Sequence, residues 1–210
     1  MADALVFYTN PMSRGRMVRW ALEEVGEPYE TRIVEYGPTM KGAAHKALNP
    51  MGKIPVLEHR GVVVTETAAI IAYLADAFPA AGLAPAIGDA RRGAYYRWLF
   101  FAAGPFEAAV TNAALKVDVP EERRGFVGYG CLTDVLDTLE AGVAEGPYLL
   151  GETFSAADIY VGSQVGFGLA FGSIEKRVAF SAYWDRIKDR PAAARAREID
   201  NAMLPEERRI

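Results

Sequence analysis

A proline-led hairpin that runs directly into a helix start, in residues 49–79, constrains the fold of this chain more than any other stretch. Pro55 begins a short apolar run, a turn follows at residues 59–61, and residues 65–67 begin a helix with apolar positions at helical spacing. Because proline removes a ladder donor, it is placed at the first residue of a strand or after a cis peptide bond. We therefore expect the backbone of Ile54 to stay unpaired within the sheet, beside the unpaired N–H groups of the helix start.

Strands and helices alternate before this hairpin. Residues 5–8 form an entirely apolar strand, Ser13 is placed to cap a helix over residues 14–25, and residues 29–34 read as a second strand. A strand–helix–strand unit of this kind predicts parallel pairing with a right-handed crossover. With the weakly helical residues 37–48, the predicted order over the first eighty or so residues is β-α-β-α-β-β-α.

The rest of the chain carries mostly helical patterns. Residues 80–88 are small and rich in alanine, glycine and proline, which indicates a linker. Ser155 and Asp158 have the spacing of a capping box at a later helix start. Further helices are predicted over residues 90–117 with a bend at Gly104-Pro105, over 120–145, around 183–187 and from Pro191 onward. The predicted domains are an α/β domain over 1–79, a linker over 80–88 and an all-helical domain over 89–210.

Charge and cysteine content exclude several function classes. The 210-residue chain has a formal net charge of −4 and scattered basic residues, so nucleic acid is not expected as a partner. The one cysteine, Cys131, excludes an internal disulfide and a cysteine-based zinc site; we expect it in the core. His45 and His59 have no ligand-spaced partners, so we predict surface positions for them and no metal. With no signal peptide and no apolar run of membrane-spanning length, the protein is predicted to be soluble, without membrane contact, and cytoplasmic.

Several short motifs follow one another at a characteristic spacing. They are SRGR at residues 13–16, NPMGKIPVL at 49–57, TETAAI at 65–70, YL at 73–74 and the capping box at 155–158. In this order they make the chain resemble the cytosolic glutathione S-transferase family, its bacterial members in particular. The resemblance covers nearly the whole chain and implies an α/β thioredoxin-like N-terminal domain with a cis-proline at Pro55, plus an all-α C-terminal domain. It also implies a homodimer that binds glutathione in the first domain and an electrophile between the two.

Glutathione, the co-substrate that the resemblance implies, carries an ammonium and a carboxylate at one end, a peptide-like middle and a glycine carboxylate. Glu66 suits the ammonium, while the Thr67 hydroxyl and the helix N-terminus suit the adjacent carboxylate. Read without the resemblance, the same two residues would only stabilise a helix start. The backbone of Ile54, before Pro55, suits antiparallel pairing with the middle of the peptide. The candidate partners for the glycine carboxylate are Arg16, Lys41 and Lys53.

The chemistry requires the glutathione sulfur as a thiolate. A thiol pKa near 8.5 must fall by about 2, which corresponds to about 2.7 kcal/mol. One charge-assisted hydrogen bond contributes about 1.5–3 kcal/mol, so a single donor at a helix start suffices. Two candidates remain open: Ser13, at the start of the first helix, and Asn10, where many family members keep tyrosine or serine. Tyr8 lies inside the first strand and is expected to be packed.

An apolar pocket is expected to receive the electrophile, although an aromatic stripe on helices is also typical of a plain core. The candidate lining residues are Met12, Tyr96, Phe100, Phe106 and Phe167. We predict a glutathione S-transferase that conjugates the glutathione thiolate to a hydrophobic electrophile, as in detoxification. The alternatives are a glutathione-dependent isomerase or peroxidase on the same site, and a non-catalytic interaction protein of the same fold. Redox chemistry through an enzyme cysteine is disfavoured, since Met12 and Ser13 stand where cysteine-using classes place their thiol.

Overall fold

The computed structural model describes residues 4–209 and divides them into two compact units. The first unit comprises the described residues up to Gly82 together with those from Arg190 onward, and the second runs from Leu83 to Asp189. The break after Gly82 falls inside the predicted linker 80–88. The compact units and the predicted domains differ in the last helix, which packs on the first helix of the chain instead of joining the helical unit.

The first unit is built on a four-stranded sheet in the order β2-β1-β3-β4. The strands are β1 (Leu5–Thr9), β2 (Tyr29–Ile33), β3 (Val56–His59) and β4 (Val62–Thr65). β1 and β2 pair in parallel, as predicted, whereas β3 pairs antiparallel with β1 and β4 antiparallel with β3. Every residue of β1 is buried, which is why its sequence is apolar without alternation.

Five helices belong to the first unit: α1 (Gly15–Val25), α2 (Pro38–Lys41), α3 (Ala43–Leu48), α4 (Thr67–Ala77) and α10 (Pro191–Ala202). The helix α1 ends at Gly26, whose φ of 78° suits glycine, and α10 begins at Pro191 as predicted. The weakly helical residues 37–48 form two short helices because Gly42 is extended between them. The Ile54–Pro55 peptide bond is cis, as the resemblance implies.

The second unit is helical, with α5 (Arg92–Phe101), α6 (Glu107–Ala114), α7 (Leu132–Ala144), α8 (Ala156–Phe171) and α9 (Val178–Ile187). The predicted bend at Gly104-Pro105 is a π-helical turn over Ala102–Phe106 that joins α5 to α6. The prediction of one helix over 120–145 was wrong. A 3₁₀ turn at Glu121–Phe126 is followed by Gly130 with a φ of 65°, so α7 begins only at Leu132.

The predicted capping box of α8 is confirmed. The backbone N–H and the hydroxyl of Ser155 donate to Asp158 Oδ2 at 2.9 and 3.0 Å. The other carboxylate oxygen accepts from the Leu149 N–H at 2.8 Å and from the Tyr183 hydroxyl at 2.9 Å. Burial raises the pKa of Asp158, and these four donors act in the opposite direction. The residue therefore ties the start of α8 to α9 and to the preceding connector.

Two predictions about lone polar residues were wrong. His45 and His59 are buried: His45 Nε2 lies 2.9 Å from the Lys53 carbonyl oxygen, and His59 Nδ1 lies 2.9 Å from the Tyr73 hydroxyl. Cys131 is half-buried at the N-cap of α7 and not in the core. Within residues 4–209, no group of histidine, cysteine, aspartate and glutamate could hold a metal ion. None of the helices in that range is long and apolar enough to cross a membrane.

Candidate functional site

Strand register brings three segments of the first unit to one edge of the sheet. Tyr8, near the end of β1, pairs with Val56 at the start of β3, and Val56 pairs with Thr65 at the end of β4. The turn after β1, the loop that ends at Pro55 and the start of α4 therefore lie side by side. These segments hold Lys53, Ile54, Pro55, Glu66 and Thr67 of the residues predicted to bind glutathione, whereas Arg16 lies in α1 and Lys41 in α2.

Glu66 stands at the N-cap of α4 in a backbone conformation that is rare for a residue with a side chain. Its φ is 67° and its ψ is 122°. Such conformations cost free energy and concentrate at functional sites. The side chain is exposed, and its carboxylate has no hydrogen-bond or ion-pair partner within residues 4–209. An unpaired carboxylate therefore lies at the N-terminus of α4.

Thr67 is the first residue of α4 and is buried. Its hydroxyl has no hydrogen-bond partner among the residues that the structure describes. No side chain caps the helix, and its first intrahelical bond runs from the Ile70 N–H to the Glu66 carbonyl at 2.9 Å. The N–H groups of the first turn and the Thr67 hydroxyl are therefore hydrogen-bond donors available to an anion next to the Glu66 carboxylate.

The loop before β3 holds Ile54 half-buried at this edge, with Pro55 buried behind it. Asn49 braces the loop, because its Nδ2 donates to the Lys53 carbonyl and its Oδ1 accepts from the Met51 N–H, both at 3.0 Å. No backbone hydrogen bond of Ile54 is found in the described part of the chain. The free peptide edge expected from the sequence is therefore present.

The lysine candidates differ in what they already contact. Lys41 Nζ donates to the Met51 and Gly52 carbonyls at 3.1 and 2.7 Å, so its ammonium braces the loop. Lys53 is exposed, and its ammonium has no partner between residues 4 and 209. Lys53 is the lysine that is free to meet an anion beside Ile54.

The guanidinium of Arg16 contacts the turn after β1 and the helix α10. Its Nε donates to the Pro11 carbonyl and its Nη2 to Asn201 Oδ1, both at 2.6 Å. Burial lowers the pKa of the guanidinium, and the nearby Asp200 opposes that change. Two nitrogens of the Arg16 guanidinium are thus engaged by the turn after β1 and by α10, and its pairing with the glycine carboxylate stays a prediction.

The two candidate thiolate donors occupy one turn but have different roles in it. Asn10 is buried; its Nδ2 donates to the Val34 carbonyl at 3.2 Å and its Oδ1 accepts from the Met12 N–H at 3.0 Å. Ser13 is half-buried, and its hydroxyl donates to the Asn10 carbonyl at 2.7 Å and accepts from the Gly15 N–H at 3.0 Å. The amide therefore holds the turn together, whereas the hydroxyl sits at its surface, at the start of α1.

Two neighbours complete the turn. Tyr8 is packed, as predicted: its hydroxyl accepts from Arg32 Nη1 at 2.9 Å and donates to Glu58 at 3.3 Å, and burial raises its pKa. Sequence reasoning missed the contact between Thr9 and Gly15. A Cβ at Gly15 would lie 1.8 Å from Thr9 Oγ1, so only glycine lets α1 start this close to β1. A glycine in the first turn of a helix was the available signal.

The five electrophile-pocket candidates do not share one environment. Met12 is exposed in the first unit, with its sulfur 3.5 Å from Arg208 Nη1. In the second unit Tyr96 and Phe100 are exposed, and the Tyr96 hydroxyl accepts from the Arg92 guanidinium. The ring of Phe167 is half-buried. Phe106 is 4% exposed, so its ring lies in the core of the second unit and has little surface for a ligand.

Comparisons with known proteins identify relatives of this chain. The family of glutathione S-transferase N-terminal domains matches residues 12–77. A glutathione S-transferase of Arabidopsis thaliana is 30% identical over 190 residues, which cover 81% of this chain and 86% of that protein. A glutathione transferase of Methylococcus capsulatus matches in structure with a TM-score of 0.78 and 29% identity, over 95% of this chain and 100% of that one. A sphingomonad glutathione S-transferase complexed with glutathione matches with a TM-score of 0.76 and 29% identity, over 93% and 98%.

The predicted fold class, an α/β thioredoxin-like N-terminal part with an all-α helical part, is confirmed by the four-stranded mixed sheet and by these structures. The motifs at residues 13–16, 49–57 and 65–70 follow or contain the strand ends that meet at one edge of that sheet, and the relatives span most of the chain. This chain belongs to the glutathione S-transferase family.

Proposed function

We propose that this protein is a glutathione transferase that binds glutathione in its first unit and conjugates the thiolate to a hydrophobic electrophile. The observation that carries the proposal is the start of α4, where Glu66 and Thr67 have unpaired side chains and Glu66 has a strained backbone. The sphingomonad relative with bound glutathione supports the same ligand here. Glutathione is the co-substrate, and the proposed chemistry uses no metal.

Each part of glutathione meets a group of matching chemistry. The Glu66 carboxylate pairs with the γ-glutamyl ammonium, while the Thr67 hydroxyl and the α4 N–H groups hold the adjacent carboxylate. The backbone of Ile54 pairs with the cysteinyl residue. Lys53 directly precedes Ile54, and its ammonium meets the glycine carboxylate. Lys41 braces the loop before β3 by donating to the Gly52 carbonyl.

Ser13 is proposed as the thiolate donor. A hydroxyl rotates, so the proton that now bonds the Asn10 carbonyl can turn to the sulfur, and the N-terminus of α1 adds positive potential. The thiol proton leaves to solvent when glutathione binds. The thiolate then attacks an electrophilic carbon, a C–S bond forms, and the leaving group departs with its bonding pair. Asn10 is proposed to position this turn and not to touch the sulfur.

The finer expectations stay predictions. The resemblance implies a homodimer, the conjugation chemistry predicts a role in detoxification, and the sequence predicts a cytoplasmic location. The electrophile itself is expected to be small and hydrophobic, and its pocket to include the exposed aromatic rings of Tyr96 and Phe100. The unpaired groups at Glu66 and Thr67 favour glutathione chemistry over the interaction-protein alternative, because a pure docking module has no use for them.

Glutathione binding by Glu66→Gln is the test, measured by titration calorimetry. Loss of a charge-assisted bond of about 1.5–3 kcal/mol predicts binding that is roughly 10- to 150-fold weaker than that of the wild type. Glu27→Gln is the matched control, because Glu27 is exposed and precedes β2, at the opposite end of the sheet. Unchanged binding by Glu66→Gln rejects the assigned site, and no binding by the wild type rejects the function.

A further inference from the structure

The turn that carries Ser13 is contacted by a distant part of the chain that the proposed chemistry does not use. Arg16 lies in the first turn of α1, and its guanidinium bridges two groups. Its Nε donates to the Pro11 carbonyl at 2.6 Å and its Nη2 to Asn201 Oδ1, near the end of α10, at 2.6 Å. One planar group therefore connects α10 to the backbone two residues before Ser13.

The position of Asn201 is fixed by its neighbour Asp200. Arg19 Nε donates to Asp200 Oδ1 at 2.8 Å, with the two side chains 1% and 2% exposed. At the other end of α10, Arg190 donates to both oxygens of Glu24 at 2.7 and 3.0 Å. The helix is thus docked on α1 along its length, and the amide of Asn201 is held where Arg16 can reach it.

The contact also leads to the serine hydroxyl. Pro11 follows Asn10, whose carbonyl accepts both the Ser13 hydroxyl at 2.7 Å and the Ser13 N–H at 3.0 Å. A turn whose Pro11 carbonyl is no longer held gains freedom at the adjacent Asn10 carbonyl, which accepts from the Ser13 N–H and so positions the serine. A displacement of a catalytic group by about 1 Å can lower the reaction rate about 100-fold.

We propose that Arg16 and Asn201 are positioning residues for Ser13, acting through the Pro11 carbonyl, so that α10 helps to set the geometry of the thiolate donor. The inference rests on the proposed function, because it assigns Ser13 the thiolate. It gives Arg16 a role other than the one expected from the sequence, that of a partner for the glycine carboxylate.

The inference separates catalysis from binding. Glu66 and Thr67 are untouched by Asn201→Ala, so the KM for glutathione stays within about twofold of the wild type. With Ser13 poorly oriented, kcat at neutral pH falls about tenfold. The loss shrinks at high pH, because the thiol then ionises without a donor. A purely structural role would lower activity equally at every pH.

Four variants make the test sharp. Asn201→Ala removes the acceptor, whereas Asn201→Asp keeps a carboxylate oxygen for Arg16 and is expected to restore the wild-type pH profile. Arg16→Lys keeps the charge but cannot bridge two acceptors in a plane, so it is expected to behave like Asn201→Ala. Glu198→Ala is the control on the same helix, since its exposed side chain has no partner in the described residues and its loss is expected to change nothing.

A second readout needs no glutathione. Amide hydrogen exchange of the free protein follows the Met12 and Ser13 N–H groups, which are bonded to Asn10. Faster exchange of both in Asn201→Ala and Arg16→Lys, but not in Asn201→Asp, supports the inference even if the wild type lacks transferase activity. Unchanged exchange together with an unchanged pH profile overturns it. A wild type that binds no glutathione overturns the proposed function and leaves the exchange result to decide on the positioning role.

Discussion

At the residue scale, Glu66 has a backbone conformation that costs free energy and a carboxylate that is proposed to bind glutathione. A side chain at a φ of 67° and ψ of 122° is held there by its surroundings, at a cost of order 1–3 kcal/mol. The conformation lets α4 start immediately after β4 and turns the carboxylate outward. Strain of this kind persists where the position of one group matters more than local stability.

Replacing Glu66 by glycine and by alanine separates these two effects. Glycine adopts positive φ freely, so Glu66→Gly is expected to unfold with a free energy about 1 kcal/mol above that of Glu66→Ala, after the entropy that glycine gains in the unfolded chain is deducted. Chemical unfolding of both variants measures the difference. Glutathione binding is expected to weaken equally in both, since both lose the carboxylate. A glycine variant no more stable than the alanine variant contradicts the strain argument.

The sequence indicated which side chains lie near the candidate site, but not which groups each of them contacts. Glu66, Thr67 and Ile54 were predicted to bind glutathione from the family resemblance together with the local signatures of a helix start and a proline-led strand. Arg16 carries the right charge and lies near the right turn, yet its guanidinium is engaged by Asn201, which is 185 residues away. The burial of His59 likewise depends on Tyr73 in α4, a contact that no local pattern specifies.

At the element scale, the docking of α10 on α1 is held by a buried ion pair. Arg19 and Asp200 are almost completely buried, and each keeps one polar atom, Nη2 and Oδ2, without a hydrogen-bond partner in the described structure. Burial raises the pKa of Asp200, whereas the Arg19 guanidinium opposes the change. Such a pair contributes little net stability against an apolar replacement, but breaking it strands a charge.

Asp200→Ala is therefore expected to lower the free energy of unfolding by about 3–5 kcal/mol. The double substitution Arg19→Met with Asp200→Leu removes both charges and is expected to lose less than the single one. Glu198→Ala, exposed on the same helix, serves as control. Chemical unfolding of the three proteins compares them directly. A double variant that is less stable than Asp200→Ala would show that the pair itself, and not the stranded charge, provides the stability.

The helix α10 also shows that the start of a helix can be predicted from the sequence whereas its packing partner cannot. Its start at Pro191 was predicted, because proline is favoured in the first turn of a helix. Its packing partner was not, since the pattern of a helix tells which face is apolar and not which element covers it. The segment from Arg190 onward joins the first unit for this reason.

At the scale of the whole molecule, the first unit is closed by both ends of the described chain. Its sheet and α1 come from the first 82 residues, and α10 returns after the second unit. The succession of strands and helices along the chain, and the helical second part, were predictable because hydrophobic periodicity and turn residues are local. The three motifs at residues 13–16, 49–57 and 65–70 adjoin strand ends that meet at one edge of the sheet because of the strand register.

The proposed function requires that this edge of the sheet ionises glutathione through Ser13. The most direct measurement is the ultraviolet absorbance of the bound thiolate against pH, in the wild type and in Ser13→Ala, with the protein saturated with glutathione. Stabilisation of the thiolate by Ser13 predicts a thiol pKa about 2 below its ordinary value near 8.5 in the wild type, and a pKa that returns most of the way to that value in Ser13→Ala. A bound thiol with an ordinary pKa in the wild type, or a depressed pKa that survives Ser13→Ala, would contradict it.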